Sequence, residues 1–184
     1  ADANYNSATS AGLTVTLSLN NVTVTVVSTT KVFGASDPTF TYTSSNNAVV
    51  FTGTLSRTAG ENVGTYAVTQ GTLSAGTNYS ITFVAANLTI TAKPITVTAA
   101  TSTKAFGASD PTFTYTSSDN AVTFTGALSR AAGESVGTYA ITQGTLSAGT
   151  NYSITFVSAD LTIVATTSKF VIQTPASGTV GVPL

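Results

Sequence analysis

Apolar and hydroxyl-bearing residues alternate along most of this chain with a period of two. Val22, Val24 and Val26 are separated by Thr23 and Thr25, and Phe40 and Tyr42 by Thr41. Val49, Phe51 and Leu55 share a face, followed by Tyr66 and Val68, then Tyr79, Ile81 and Phe83, then Leu88 and Ile90. Successive side chains of a strand point to opposite faces of a sheet, so the pattern predicts short strands with one face buried. Turn-forming residues punctuate the runs at Ser44-Ser45-Asn46-Asn47, Ala59-Gly60-Glu61, Ala75-Gly76-Thr77-Asn78 and Ala86-Asn87. Six or seven strands at this spacing predict a small antiparallel sandwich.

The pattern is written twice. Lys31–Ala92 recurs as Lys104–Ala165 at an offset of 73, with 52 of 62 aligned positions identical. The match extends upstream, where Val22–Lys31 aligns with Ile95–Lys104. One repeat therefore occupies 22–94 and the next 95–167, with Lys93-Pro94 at the junction and almost no linker. Pro has a fixed φ and no donor, which suits entry to a first strand. The fold class expected is all-β: two tandem small antiparallel β-sandwich (Ig-like) domains in an elongated arrangement. Segment 1–21 reads as the end strand of a preceding domain or a donated strand. Segment 168–184 reads as the first strand of a following domain or a donated strand. The chain opens at Ala1 without Met, so an excised or processed piece of a longer array is expected.

Composition supports strands over helices. The chain holds 39 Thr and 21 Ser, and its charged residues amount to 7% against about a quarter in ordinary soluble domains. Six basic and seven acidic residues give a net charge of −1 with no basic cluster. Nucleic-acid recognition needs several Lys or Arg on one face, so no nucleic-acid partner is expected. No run approaches the ~18 apolar residues of a membrane helix, and no membrane insertion within this segment is expected. Cys, His, Met and Trp are absent, which removes disulfides, the best metal ligands and the oxidisable side chains together.

The motif order is K-x-[aromatic]-G-x-x-D-P, then L-x-R-x-x-G-E-x-V-G-T-Y, then N-Y-x-I-x-F and L-T-I. It falls on Lys31, Phe33, Gly34, Asp37, Pro38, Arg57, Gly60, Glu61, Gly64 and Tyr66, with Asn78 and Tyr79 following. It falls again on Lys104, Phe106, Gly107, Asp110, Pro111, Arg130, Gly133, Glu134, Gly137 and Tyr139, with Asn151 and Tyr152. This order resembles the MBG ("mostly beta, glycine-rich") domains that recur in tandem in bacterial surface adhesins. The flanks ADANYNSATS and FVIQTPASGTVGVPL resemble the ends of bacterial Ig-like repeats. The resemblance implies a secreted or cell-surface array with a structural role, and names no ligand. Phe33 and Phe106 stand where that family often has Tyr. Read from the residues, Gly34, Gly60 and Gly64 supply backbone conformations closed to other residues. Asp37 before Pro38 is expected to accept a backbone hydrogen bond in a turn, and Arg57 and Glu61, four apart, to pair.

Little else carries chemistry. Without His or Cys there is no triad or thiol site, and the repeat's Asp37 and Glu61 are taken up by turns, so no catalytic residue is expected. No D-x-D-x-D-G run marks a calcium loop, and no metal or cofactor is expected. One covalent option is a cross-link, in which a buried, neutral Lys31 or Lys104 attacks an Asn amide, with Thr and Gln70 or Gln143 as an ester variant. The N-x-S/T triplets at Asn21, Asn78, Asn87 and Asn151 arise readily by chance in a Thr-rich chain. Thr-Val-Thr strands resemble ice-binding faces, but not as a stacked array. The expectation is a structural extender in an adhesin or extracellular fibre. Its partners are neighbouring domains of the same long chain, or identical subunits in a fibre. The alternatives are a filament subunit joined by donated end strands, and a module binding glycan or a host protein.

Overall fold

The structure, a computed structural model, describes residues 18–166. Of the two expected end segments, 168–184 and all but the last residues of 1–21 lie outside that range. Contacts divide the chain into two units, Ala1–Lys93 and Pro94–Leu184. All regular structure among the described residues is strand. The first unit holds β1 (Asn20–Val26), β2 (Thr29–Val32), β3 (Tyr42–Ser44), β4 (Ser56–Arg57), β5 (Gly64–Thr69), β6 (Tyr79–Val84) and β7 (Asn87–Thr91). The second repeats them as β8 (Lys93–Ala99), β9 (Ser102–Ala105), β10 (Tyr115–Ser117), β11 (Ser129–Arg130), β12 (Gly137–Thr142), β13 (Tyr152–Val157) and β14 (Ala159–Val164).

Each unit has a three-stranded and a four-stranded sheet, ordered β3-β1-β6 and β2-β7-β5-β4 in the first and β10-β8-β13 and β11-β12-β14-β9 in the second. The sheets are mixed, which corrects the expected antiparallel sandwich. β1 pairs antiparallel with β3 but parallel with β6, and β2 pairs parallel with β7. Period-two alternation reports which face of a strand is buried and carries no information on its neighbour's direction.

The two parallel pairings share one register. Asn20 stands beside Tyr79 and Thr29 beside Leu88, an offset of 59 in both sheets. Ser102 beside Leu161 keeps the same offset in the second unit. The first segment of the unit (20–32) and the last (79–91) therefore run side by side throughout, and both change sheet at the same level. The inward-facing positions shift phase there, from Val22, Val24 and Val26 to Lys31, and from the half-buried Ile81 and Phe83 to the buried Leu88 and Ile90. A strand passing between facing sheets must shift phase, because the two inner faces point in opposite directions. Val27 still donates its N–H to the Thr41 carbonyl at 2.9 Å, and Thr29 is already paired with Leu88. Two Cα steps reach ~7.6 Å, less than the ~10 Å between stacked sheets, so the crossing lies at a corner where the sheets converge. Ala86-Asn87 is accordingly part of a sheet-switching run, and not the expected turn.

Val26 of β1 packs with Val68 of β5 and with Leu88 and Ile90 of β7, closed by Phe33, Phe40, Leu55, Tyr66 and Phe83. A second cluster joins Val22, Val49 and Ala75 with Phe51, Tyr79 and Ile81. Ala99, Ile141, Leu161 and Ile163 form the equivalent of the first cluster in the other unit. The expected strand through Val49, Phe51 and Leu55 is a loop with one isolated bridge, Thr52 to Ser74. Its side chains still turn inward, but a Cβ at Gly53 would stand 2.1 Å from the Thr72 carbonyl oxygen, and this close approach takes the place of a ladder.

Leu88 is fully buried between the sheets. Leu88→Ala should destabilise the first unit by about 2–5 kcal/mol through lost transfer energy and a residual cavity. Val50→Ala, at a position 82% exposed, should stay within about 0.5 kcal/mol. Denaturant midpoints of the two variants check the contrast.

Candidate functional site

Lys31 sits in β2 with its side chain turned into the unit, 8% exposed. A buried ammonium is tolerated only when paired and hydrogen-bonded. Its Nζ donates to Asp37 Oδ1 and Glu61 Oε2, each at 2.6 Å. Arg57, in the two-residue β4, supplies the opposite side. Its Nε donates to Asp37 Oδ2 at 2.6 Å, one Nη2 bond reaches Asp37 Oδ1 at 3.1 Å, and Nη2 also donates to Glu61 Oε1. Two cations and two carboxylates thus alternate in a closed ring in which each carboxylate bridges both cations. The ring ties β2, the β2–β3 turn, β4 and the β4–β5 turn together. The predicted Arg57–Glu61 pair is one side of it. Asp37, expected to hold a turn through the backbone, gives both its oxygens to Lys31 and Arg57.

The remaining signature residues support this clasp. Arg57 Nη1 donates to the carbonyls of Thr58 at 3.0 Å and Gly60 at 2.5 Å. Its guanidinium lies over the Tyr66 ring, 5.3 Å from the centroid, where the negative face of the ring favours a cation. The Tyr66 hydroxyl donates to the Asn62 carbonyl at 2.7 Å. Gly60 takes φ +142, and a Cβ there would stand 2.1 Å from Tyr66 Cε1. Gly34, at φ +80, occupies the third place of the turn closed by Ala35 N–H to Val32 C=O at 3.0 Å, where a type II turn requires a left-handed residue. Gly64 does not share that explanation, since its φ is not positive and a Cβ there would meet the Tyr66 ring at an ordinary 3.8 Å. Phe33 packs on the core cluster, Pro38 is half-buried, and Tyr79 belongs to the second cluster. Asn78 accepts the Asn20 N–H through its carbonyl at 3.0 Å.

The second unit reproduces the ring. Lys104 Nζ lies 2.6 Å from Asp110 Oδ1 and 2.6 Å from Glu134 Oε2, and Arg130 Nε 2.6 Å from Asp110 Oδ2. Arg130 Nη1 donates to the Gly133 and Ala131 carbonyls, and its guanidinium lies 5.4 Å from the Tyr139 centroid. Gly107 takes φ +82, Gly133 φ +138 and Gly137 φ +154. Pro111 is half-buried, while Phe106, unlike Phe33, is 52% exposed. Asn151 precedes β13 and Tyr152 opens it.

The electrostatics follow from the ring. Bonds from Arg57 first and Lys31 second bring the Asp37 carboxyl down to about 2, and Asp110 falls to about 2 beside Arg130 and Lys104. Glu61 and Glu134 are lowered by the lysine first and the arginine second. Lys31 and Lys104 are raised above the ordinary lysine value by their aspartate and glutamate partners, which outweigh burial. The cross-link would need a neutral amine beside an Asn amide. Lys31 is an ammonium between two carboxylates, with no free pair of electrons to attack. Gln70, the candidate for an ester, donates its Nε2 to the Leu73 carbonyl at 2.8 Å, as Gln143 does to Leu146.

The profile of the MBG domain (YGX type) matches residues 22–89 and again 95–162. The chain belongs to the MBG domain family. MBG domains occur in bacterial surface proteins. No curated protein and no solved structure matches the chain. In this MBG tandem Phe33-Gly34-Ala35 and Phe106-Gly107-Ala108 lie in the turns that deliver Asp37 and Asp110 to the clasp. What sequence reasoning missed is that the lysine–aspartate motif and the arginine–glutamate motif are two halves of one site. The available signal was that each repeat carries two signature cations and two signature anions.

The clasp sets a pH window. Its carboxyls are lowered on folding, so their contribution is complete above the unfolded values of 3.8 and 4.5 and is lost as pH falls toward about 2. Lys31 is raised above 10.5, so its contribution is complete below that value and is lost as pH rises through the folded one. Stability should be flat between about pH 5 and 10 and fall on both sides, as read by denaturant midpoints across pH. Gly60→Ala should cost at least about 1–3 kcal/mol, from backbone strain before any displacement of Tyr66; an unchanged melting temperature would contradict the close packing.

Proposed function

We propose that this chain is an extender (stalk) segment of a bacterial cell-surface adhesin or extracellular fibre, non-catalytic, giving reach and mechanical cohesion. The observation that supports it most is the parallel pairing of 20–32 with 79–91. The chain enters a unit beside Tyr79 and leaves it beside Val32, at opposite ends of the paired run. Ala92 alone separates β7 from β8, so the next unit begins where the last one ends. A chain that enters and leaves at the same end of a domain gains little length per repeat. One that passes through gains roughly the length of the paired strands, at ~3.3 Å per residue.

The same pairing supports cohesion. Tension on β1 and β7 pulls parallel neighbours past one another, which loads six register pairs in one sheet and four in the other together. The clasp adds a tie that disulfides supply in other extracellular domains, in a chain with no Cys. Its partners in this reading are the neighbouring domains of the same long chain.

Small-angle scattering of the chain in solution tests the reading. An extender should have a radius of gyration well above the ~16 Å of a compact domain of this length. A value near that figure would remove the basis for reach.

A further inference from the structure

Among the described residues the two sheets of the first unit have four edge strands, and three of them are blunted. β2 carries the inward charge of Lys31, β4 is two residues long and bears Arg57, and β3 has three residues. Short edges and inward charges are the usual protections against pairing with another chain. β6 differs from all three. It runs for six residues, Tyr-Ser-Ile-Thr-Phe-Val, with no charge and no Pro, and its one neighbour among the described residues is β1. Its inward side chains Tyr79, Ile81 and Phe83 are only half-buried, whereas those of β1 next to it are at most 5% exposed.

The direction of its backbone groups can be read from one bond. Asn20 N–H donates to the Asn78 carbonyl at 3.0 Å, so residue 78 faces β1. In a strand, alternate residues present their N–H and C=O to opposite edges, so Ser80, Thr82 and Val84 also face β1. The main-chain groups of Tyr79, Ile81 and Phe83 point to the open edge. The residues with outward-facing backbone are thus the same three whose side chains need more cover.

We propose that β6 is a pairing edge for a second copy of this chain, whose own β6 adds antiparallel about a two-fold axis at Ile81. In that register Ile81 meets Ile81 of the second copy and Tyr79 meets its Phe83. Each of these is a hydrogen-bonded pair, giving about six main-chain bonds. Apolar side chains oppose apolar ones on the inner face, and Ser80 opposes Thr82 on the outer face. A strand of the same uncharged sequence brings no repulsion. β13 carries the identical six residues at the edge of its own three-stranded sheet, so both strands are changed together in the test. The pairing joins chains laterally and does not depend on the extender reading.

Sedimentation equilibrium of the whole chain tests it. The wild type should rise with concentration from 18.5 kDa toward twice that mass. Ser80→Lys and Thr82→Lys, combined with Ser153→Lys and Thr155→Lys, set like charges opposite each other on the outer face and should abolish the rise. The corresponding Glu set should also be monomeric, and an equal mixture of the two sets should associate again. If the charged sets lose their strand signal by circular dichroism, Ile81→Pro with Ile154→Pro replaces them, since Pro is tolerated where the N–H faces away from the neighbouring strand. A wild type that stays at 18.5 kDa at every concentration overturns the proposal. So does association that survives the Lys or Pro variants, or a Lys–Glu mixture that remains monomeric.

Discussion

Each unit depends on the parallel pairing of its first and last segments at a single offset. A parallel neighbour needs a long connection, because the chain must return to the end from which it started. Here that connection is the rest of the unit, from Phe33 to Asn78. Closing the pair brings β3, β4 and β5 onto the two sheets and forces both segments to change sheet at one corner. Sheet order, burial phase and the opposite placement of entry and exit all follow from this one closure. The same closure separates in sequence the residues that must meet, so most of the unit's contacts are long-range.

The charge ring solves a problem that the closure creates. Once 20–32 crosses to the second sheet, the inward positions become Thr29, Lys31 and Phe33, and a lysine is carried into the interior. Its ammonium cannot lie there unpaired. Asp37 reaches it from the adjoining turn, Glu61 from the turn before β5, and Arg57 neutralises both carboxylates. Tyr66 and Gly60 fit the guanidinium against a ring. The ring is neutral overall, so it holds four chain segments without leaving a buried net charge.

Differences between the repeats map the same constraint. Thr58 and Asn62 become Ala131 and Ser135, and the clasp's bonds to their carbonyls persist. Asn46 becomes Asp119 and keeps the side-chain oxygen that accepts from residue 48 or 121 at 3.0 Å. Val68 becomes Ile141 at a fully buried site where an added methylene can be accommodated. Val50, 82% exposed, becomes Thr123. Ala85 becomes Ser158, whose hydroxyl finds the Ile141 carbonyl at 2.6 Å. Thr91, whose hydroxyl donates to the Lys31 carbonyl at 3.3 Å, becomes Val164, and the strand pairing at that position is kept.

Alternation at Val22–Val26, Tyr79–Phe83 and Leu88–Ile90 determined by itself that the chain is all-β, and identity at an offset of 73 determined that it is two copies of one unit. The signature residues of the clasp were legible as a set, because its polar types are few in a chain so poor in charge. Three features were decided only by tertiary structure: the parallel direction of β6 and β7, the loop in place of a strand at Val49–Leu55, and the meeting of Lys31 with Glu61. The physical reason is the same in each case. Periodicity records which side of a strand is buried, a local property of the side chains. Direction, partner and ion pairing depend on which distant segment lies alongside, and that is chosen only when the whole unit closes.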